Sequence, residues 1–184
     1  VKIGVVSDTH GDASTWEKVM NNIFRDVELI VHAGDVLYHG PRNPIVPGYN
    51  PARLAEMLNQ LPIPLLIARG NCDADVDQLV LEYPLQSSYV FFQHEGRRFL
   101  VHHGHGINGE QAQEMAQRFR VDMYISGHTH VPFLDVKEDT VFLNPGSCSL
   151  PKDEDKRKTV ALVEDRGVTI IDVYREEVFK ELSF

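Results

Sequence analysis

The stretch "KIGVVSDTHGDASTWEKVMNNIF", Lys2 to Phe24, decides the architecture. An apolar run of strand length, "KIGVVS", breaks at Asp8, crosses a polar segment, and resumes as "STWEKVMNNIF" with apolar residues at helical spacing. Ser14 with Glu17 three residues on has capping-box spacing, so the helix is expected to start at Ser14. The same order then repeats. "LIVHAGD" is a second apolar run ending in an aspartate, and "NPARLAEMLNQL" a second helix with Pro51 near its start. A third strand, "PLLIA", runs into "RGNCD". Alternating strands and helices call for a largely parallel sheet with helices outside it.

Working outward, the texture changes. "SSYVFFQ" and "RRFLVHH" flank the turn-like "HEGR" and read as a hairpin, "EQAQEMAQRF" as a helix and "MYIS" as a strand. "FLDVK", "VFLNP", "TVALVED" and "VTIIDVYR" read as further strands, and the tail "EEVFKELSF" fits no single element. Parallel units are thus expected first and antiparallel hairpins later. The expected result is an α/β fold of two packed mixed β-sheets flanked by helices, a four-layer α/β/β/α sandwich. With 184 residues and no linker, repeat or low-complexity tract, residues 1–184 are expected to form one domain. The segment "VLYHGPRNPIVPGYN" is longer than most connections, which marks it as a functional loop or a disordered one.

Composition removes several function classes. A net charge of -9 disfavours an extended nucleic-acid surface, because such binding neutralises phosphates with Lys and Arg. Two cysteines, Cys72 and Cys148, are too few for a secreted disulfide framework, and "VKIGVVSD" lacks the length of a signal or membrane segment. A cytoplasmic location without membrane partners is therefore expected.

Five strand-length runs end in side chains able to bind metal: "VVSDTHGD" with Asp8 and His10, "VHAGD" with Asp35, "IARGNCD" with Asn71, "LVHHGHG" with His102, His103 and His105, and "ISGHTH" with His128 and His130. Singly, each reads as a turn former or a solvated histidine. Together they suggest convergence, since ligands of open α/β sheets gather beyond the carboxyl ends of strands. Imidazoles, carboxylates and one amide, with no thiolate required, suit Mn²⁺, Fe²⁺ or Zn²⁺ better than a cysteine zinc site or an all-oxygen calcium site.

In this order, "DTH", "GD", "GNCD", "HGH" and "GHTH", spanning Asp8 to His130, resemble the signature of the calcineurin-like metallophosphoesterases. "HGPRN", His39 to Asn43, and "GNCDADVDQ" further resemble the family's small bacterial phosphodiesterases. The resemblance implies two divalent ions, manganese first, with iron, zinc or nickel as alternatives. Asp8, His10 and His130 would hold one ion, Asn71, His103 and His128 the other, and Asp35 would bridge them. It implies hydrolysis of small phosphodiesters by in-line attack of a hydroxide shared by the ions, in a site whose charge stands near +1 before substrate binds. His105 would face the substrate, and Arg42 is a candidate phosphate clamp. Cys72 departs from the pattern: many family members carry histidine there to protonate the leaving oxygen. It is either a weak acid or a small buried residue. "NPGS", Asn144 to Ser147, is a strand-end turn able to support the histidines. A homodimer or higher homo-oligomer is also implied. A competing reading is a protein-binding scaffold, because retromer's small subunit is similar in fold with a degraded metal site. The complete ligand set, His10 above all, distinguishes the two.

Overall fold

The computed structural model describes residues 2–184. Strand β1 (Ile3–Val6) is buried along its whole length and lies parallel to β2 (Leu29–His32), which lies parallel to β3 (Leu65–Ile67). Helices α1 (Ala13–Lys18) and α2 (Pro51–Asn59) make the crossovers. On the other side of β1 run β9 (Thr159–Glu164), β10 (Gly167–Asp172) and β11 (Val178–Ser183), all antiparallel, giving a six-stranded sheet in the order β11-β10-β9-β1-β2-β3.

The second sheet has five strands, β4 (Tyr89–His94), β5 (Arg97–His102), β6 (Met123–Ile125), β7 (Phe133–Lys137) and β8 (Thr140–Asn144), ordered β4-β5-β6-β8-β7. Helix α3 (Gly109–Phe119) joins β5 to β6. Side-chain alternation builds three apolar layers. Val5, Val31, Val101, Ile125 and Leu143 meet between the sheets. Trp16, Leu54 and Leu58 pack with Val6 and Ile30 under α1 and α2, and Ala112 and Ala116 of α3 cover Leu100, Tyr124 and Phe142. Each large side chain so buried contributes about 1.5–3 kcal/mol. The four-layer α/β/β/α arrangement expected from the sequence is the one observed.

Several local expectations are corrected. Helix α1 is capped by Asp12 rather than Ser14. The Asp12 carboxylate accepts the Thr15 amide at 3.0 Å and the Thr15 hydroxyl at 2.7 Å, while Ser14 is exposed. A buried carboxylate reaching both donors of Thr15 outcompetes the serine. Beyond Lys18 the helix widens into a π-type turn over Val19–Ile23. The tail is the edge strand β11. The second half is not simply antiparallel either: β5, β6 and β8 run parallel, because β5-α3-β6 is again strand-helix-strand. The long segment after Asp35 is ordered against the β1-α1 loop. Gly11 donates its amide to the Val36 carbonyl at 2.9 Å, and Asn50 returns its own to the Gly11 carbonyl at 2.8 Å.

Candidate metal centre

The carboxyl ends of β1, β2, β3, β5 and β6 meet at one rim. Asp8 follows β1, and its Oδ2 accepts the Ser7 hydroxyl at 2.6 Å and the His128 amide at 3.0 Å. Its Oδ1 points into the cluster, 3.2 Å from His130 Nε2, 3.7 Å from His10 Nε2 and 3.9 Å from His103 Nε2. Asp35 follows β2. Its Oδ1 accepts the Cys72 amide at 2.7 Å, while Oδ2 faces His103 Nε2 at 3.2 Å and His10 Nε2 at 3.7 Å.

Three histidines are oriented in one way. The Nδ1–H groups of His10, His103 and His130 donate to the backbone carbonyls of Tyr38, Ala33 and Leu150 at 2.7, 2.7 and 2.5 Å. A ring anchored through Nδ1 presents Nε2 as its free ligand atom, the pattern in which an outer partner fixes a metal-binding imidazole. The Asp8, His10, Asp35, His103 and His130 side chains are all buried.

The backbone holds them in costly conformations. Asp8, His10, Asp35, His128 and His130 have φ of 54°, 44°, 60°, 68° and 58°, in the left-handed region that non-glycine residues avoid. Each costs roughly 1–3 kcal/mol, and such strain persists where the surroundings over-determine it. Those surroundings are visible. Asp73 accepts the amides of Asp35 at 2.9 Å and Gly70 at 2.7 Å on Oδ2, and that of Val36 at 2.7 Å on Oδ1. Ser147 donates its hydroxyl to the Asp8 carbonyl at 2.7 Å and accepts the Leu150 amide at 2.8 Å. Asn144 donates to the Gly127 carbonyl at 2.8 Å, so the "NPGS" turn does meet the site loops. Two glycines allow close approach: a Cβ on Gly70 would lie 2.2 Å from Asp35 Oδ1, and one on Gly127 would lie 1.9 Å from Ser7 Oγ.

Electrostatics and burial compete. Burial disfavours ionised Asp8, but the close approach of the His10 and His130 rings and the charge of His103 outweigh it, holding its carboxyl well below the usual range. Asp35 is likewise lowered against its burial, chiefly by His103. Burial pulls His103 down while the Asp35 and Asp8 carboxylates lift it further, to about 9; His10 is raised in the same way. Positive charge therefore collects on imidazoles around two carboxylates. Asp8 Oδ1 and His103 Nε2 are nevertheless buried without a hydrogen-bond partner. Such orphaned groups with their donors turned inward fit divalent cations, which displace those protons on binding.

The other sequence candidates lie around this nucleus. His128 is exposed and sets its ring edge-on to His103, centroids 5.2 Å apart. Asn71 is exposed and donates its amide nitrogen to Cys72 Sγ at 3.5 Å. His105 lies 5.5 Å, centroid to centroid, from both His102 and His103, and 6.3 Å from His128; its Nδ1 is buried without a partner. Burial and the neighbouring His103 lower its pKa. Cys72 is half-buried, and burial followed by the Asp35 carboxylate pushes its thiol up to about 12. Arg42 is exposed on the long loop and makes no hydrogen bond or ion pair among the described residues. Sequence reasoning missed Asp73, although it stands inside "GNCD", two residues after Asn71. It also gave His102 no part: the His102 Nδ1 accepts the Gly104 amide at 2.9 Å and so shapes the loop carrying His103 and His105.

Fold and site together define a metallophosphoesterase. A profile of the calcineurin-like phosphoesterase superfamily domain matches residues 1–166, and the chain belongs to that superfamily. Among its relatives, Phosphodiesterase YfcE of Escherichia coli K12 is 36% identical over 153 residues, 83% of this chain and 82% of the relative. The solved structure of E. coli YfcE, described as a phosphoesterase, superposes with a TM-score of 0.88 at 28% identity, covering 100% of this chain and 99% of that one. Vacuolar Protein Sorting 29 of Cryptosporidium parvum superposes with a TM-score of 0.71 at 17% identity, over 100% of this chain and 98% of that one, and shares the fold alone. No helix among the described residues is long and apolar enough to cross a membrane.

Proposed function

We propose that the chain is a dinuclear-metal phosphodiesterase acting on small phosphodiesters. One observation carries this reading: Asp8, Asp35, His10, His103 and His130 bring their ligand atoms into one buried space, where two of those atoms make no hydrogen bond. A relative named as a phosphodiesterase and matched over 83% of this chain supports the substrate class.

In the proposed assignment Asp8, His10 and His130 hold one ion and Asn71, His103 and His128 the other. Asp35, whose Oδ2 lies 3.7 Å from His10 Nε2 and 3.2 Å from His103 Nε2, would be shared between the two ions. Manganese is the first candidate for both positions. The ions would supply a nucleophilic water at neutral pH and neutralise the phosphoryl oxygens. The chain's own residues do the rest. Asp73 and Ser147 hold the loops, the three carbonyl-anchored imidazoles fix the ligand directions, and His105, whose ring lies 5.5 Å from that of His103, faces the substrate. Burial and the neighbouring His103 favour its neutral ring, which suits a proton carrier or hydrogen-bond donor rather than a fixed charge. Arg42 is the proposed outer phosphate clamp. The reading includes a homodimer or higher homo-oligomer, checked by sedimentation.

The test is hydrolysis of bis(4-nitrophenyl) phosphate with and without Mn²⁺, together with counting bound ions. The unmutated chain is expected to bind two ions and turn over the diester. Asp35→Ala should lose both ions together and about 10³-fold or more of kcat/KM. Two tightly held ions in Asp35→Ala would refute the bridge, and no manganese-dependent turnover by the unmutated chain would refute the function.

A further inference from the structure

We propose that Cys72 is a metal ligand: its Sγ joins the His10 imidazole and the Asp35 carboxylate around the ion nearest His10, and it biases that position toward thiophilic ions. The inference rests on the dinuclear reading above and deepens it.

Three groups of ligand atoms lie within 4.8 Å of one another: Asp8 with His10 and His130, Asp8 with Asp35 and His103, and His10 with Asp35 and Cys72. The third group shares two members with the others, so Cys72 enters a site that already exists. Beside Asp8, His10, His130 and the shared Asp35, Cys72 would be a fifth protein ligand, and neighbouring ligand atoms of such an ion, with bonds of about 2.0–2.3 Å, would sit roughly 3 Å apart. The observed atoms lie within 4.8 Å, and because His10 and Asp35 are anchored by hydrogen bonds the closing movement would fall to the Cys72 side chain. The neighbouring Asp8 Oδ1 and His103 Nε2, both fully buried and held at ion-pair distance without a hydrogen bond, line a space that a cation fits.

The surroundings of the sulfur agree. Its own backbone amide is committed to Asp35 Oδ1 at 2.7 Å, so the chain at Cys72 is pinned beside the shared carboxylate. The Asn71 amide nitrogen donates to Sγ at 3.5 Å, treating the sulfur as an acceptor and leaving the Asn71 oxygen free for the second ion. The long loop closes over the thiol, where a methyl group on Gly40 would come within 3.3 Å of Sγ. On ligation the S–H bond breaks, a sulfur–metal bond forms and the proton leaves to solvent, with no change of oxidation state. Thiolate favours zinc and cobalt over manganese. Cys148, the other cysteine, is fully buried in the apolar layer under α1 and serves as an internal control.

Cobalt(II) is the probe. Titrated into the full chain, it is expected to give an intense near-ultraviolet sulfur-to-cobalt charge-transfer band, retained in Cys148→Ser and absent in Cys72→Ser. Cys72→Ser should still bind two cobalt ions, with its preference for zinc over manganese reduced about tenfold or more. Zinc-edge X-ray absorption on the unmutated chain, expected to find one sulfur scatterer, depends on no variant folding. Two bound cobalt ions without the band, or a band surviving in Cys72→Ser, would overturn the role of Cys72 and leave the dinuclear centre standing. A chain that binds no cobalt would overturn the centre itself.

Discussion

Between the sheets, Val5, Val31, Val101 and Ile125 interlock as an apolar layer on regular strands. A few residues further along the same strands, Asp8, Asp35, His103 and His128 occupy a rim where the backbone turns left-handed at Asp8, Asp35 and His128 and charged groups are packed against one another. The two regions share a chain path and little else. In the lower one every residue favours the fold by burial. In the upper one strain and desolvation oppose folding, and hydrogen bonds accepted by Asp73 and donated by Ser147 and Asn144 offset them. Local rules broken together at one place, over a core that obeys them, are what a functional site looks like in physical terms.

The sharpest way to break this contrast is Asp73→Ala. It strands the amides of Asp35, Val36 and Gly70 in a buried loop. At about 1–3 kcal/mol for each unsatisfied donor, a loss of roughly 3–5 kcal/mol is expected in metal-free denaturant melts. Metal affinity should fall about 10–100-fold, read by competition with a chelator. Asp73→Asn should do little better, since its NH₂ must face one of the same donors. A stability change below 1 kcal/mol would mean that the rim does not depend on this carboxylate.

A smaller effect separates the regions by pH. His32, at the end of β2, is fully buried, donates Nε2–H to the Thr9 hydroxyl at 2.9 Å and accepts the Gly34 amide on Nδ1 at 3.0 Å. That pairing needs the neutral ring, and burial lowers its pKa to about 3. A histidine whose folded pKa is depressed contributes fully above its unfolded value of about 6.5, and its contribution is lost as pH falls toward 3. Metal-free protein should therefore lose about 2–3 kcal/mol through this group by pH 4.5. His32→Asn, whose oxygen still accepts the Gly34 amide, should be less stable at pH 7.5 and show a shallower acid dependence. Parallel pH profiles for the two proteins would exclude His32 as the source.

The same contrast explains what was legible in advance. Apolar runs located the strands because the core obeys simple burial, and the polar residues ending five of those runs located the rim. The parallel pairing of β5, β6 and β8 was harder, since their runs are short and pairing partners leave no local mark. The cap at Asp12 was hidden because serine and aspartate both suit that position, and only the fold places Lys158 Nζ 3.3 Å from Asp12 Oδ2. The left-handed residues and the reach of Asp73 depend on how distant loops meet, which no window of sequence contains.

The smallest expected effect concerns the outer edge of the rim. Arg42 is exposed and unpaired, so its guanidinium is free to take two phosphate oxygens and equally free to remain in water. An exposed charge pair is worth about 0.2–1 kcal/mol and is screened by salt. Arg42→Ala is therefore expected to raise KM for bis(4-nitrophenyl) phosphate by about two- to fivefold at low ionic strength, leaving kcat unchanged, because a contact made equally in ground and transition states alters binding alone. The difference should fade in high salt. A fall in kcat instead would place Arg42 with the strained, buried groups that act on the reacting phosphorus, and an unchanged KM would remove it from the site.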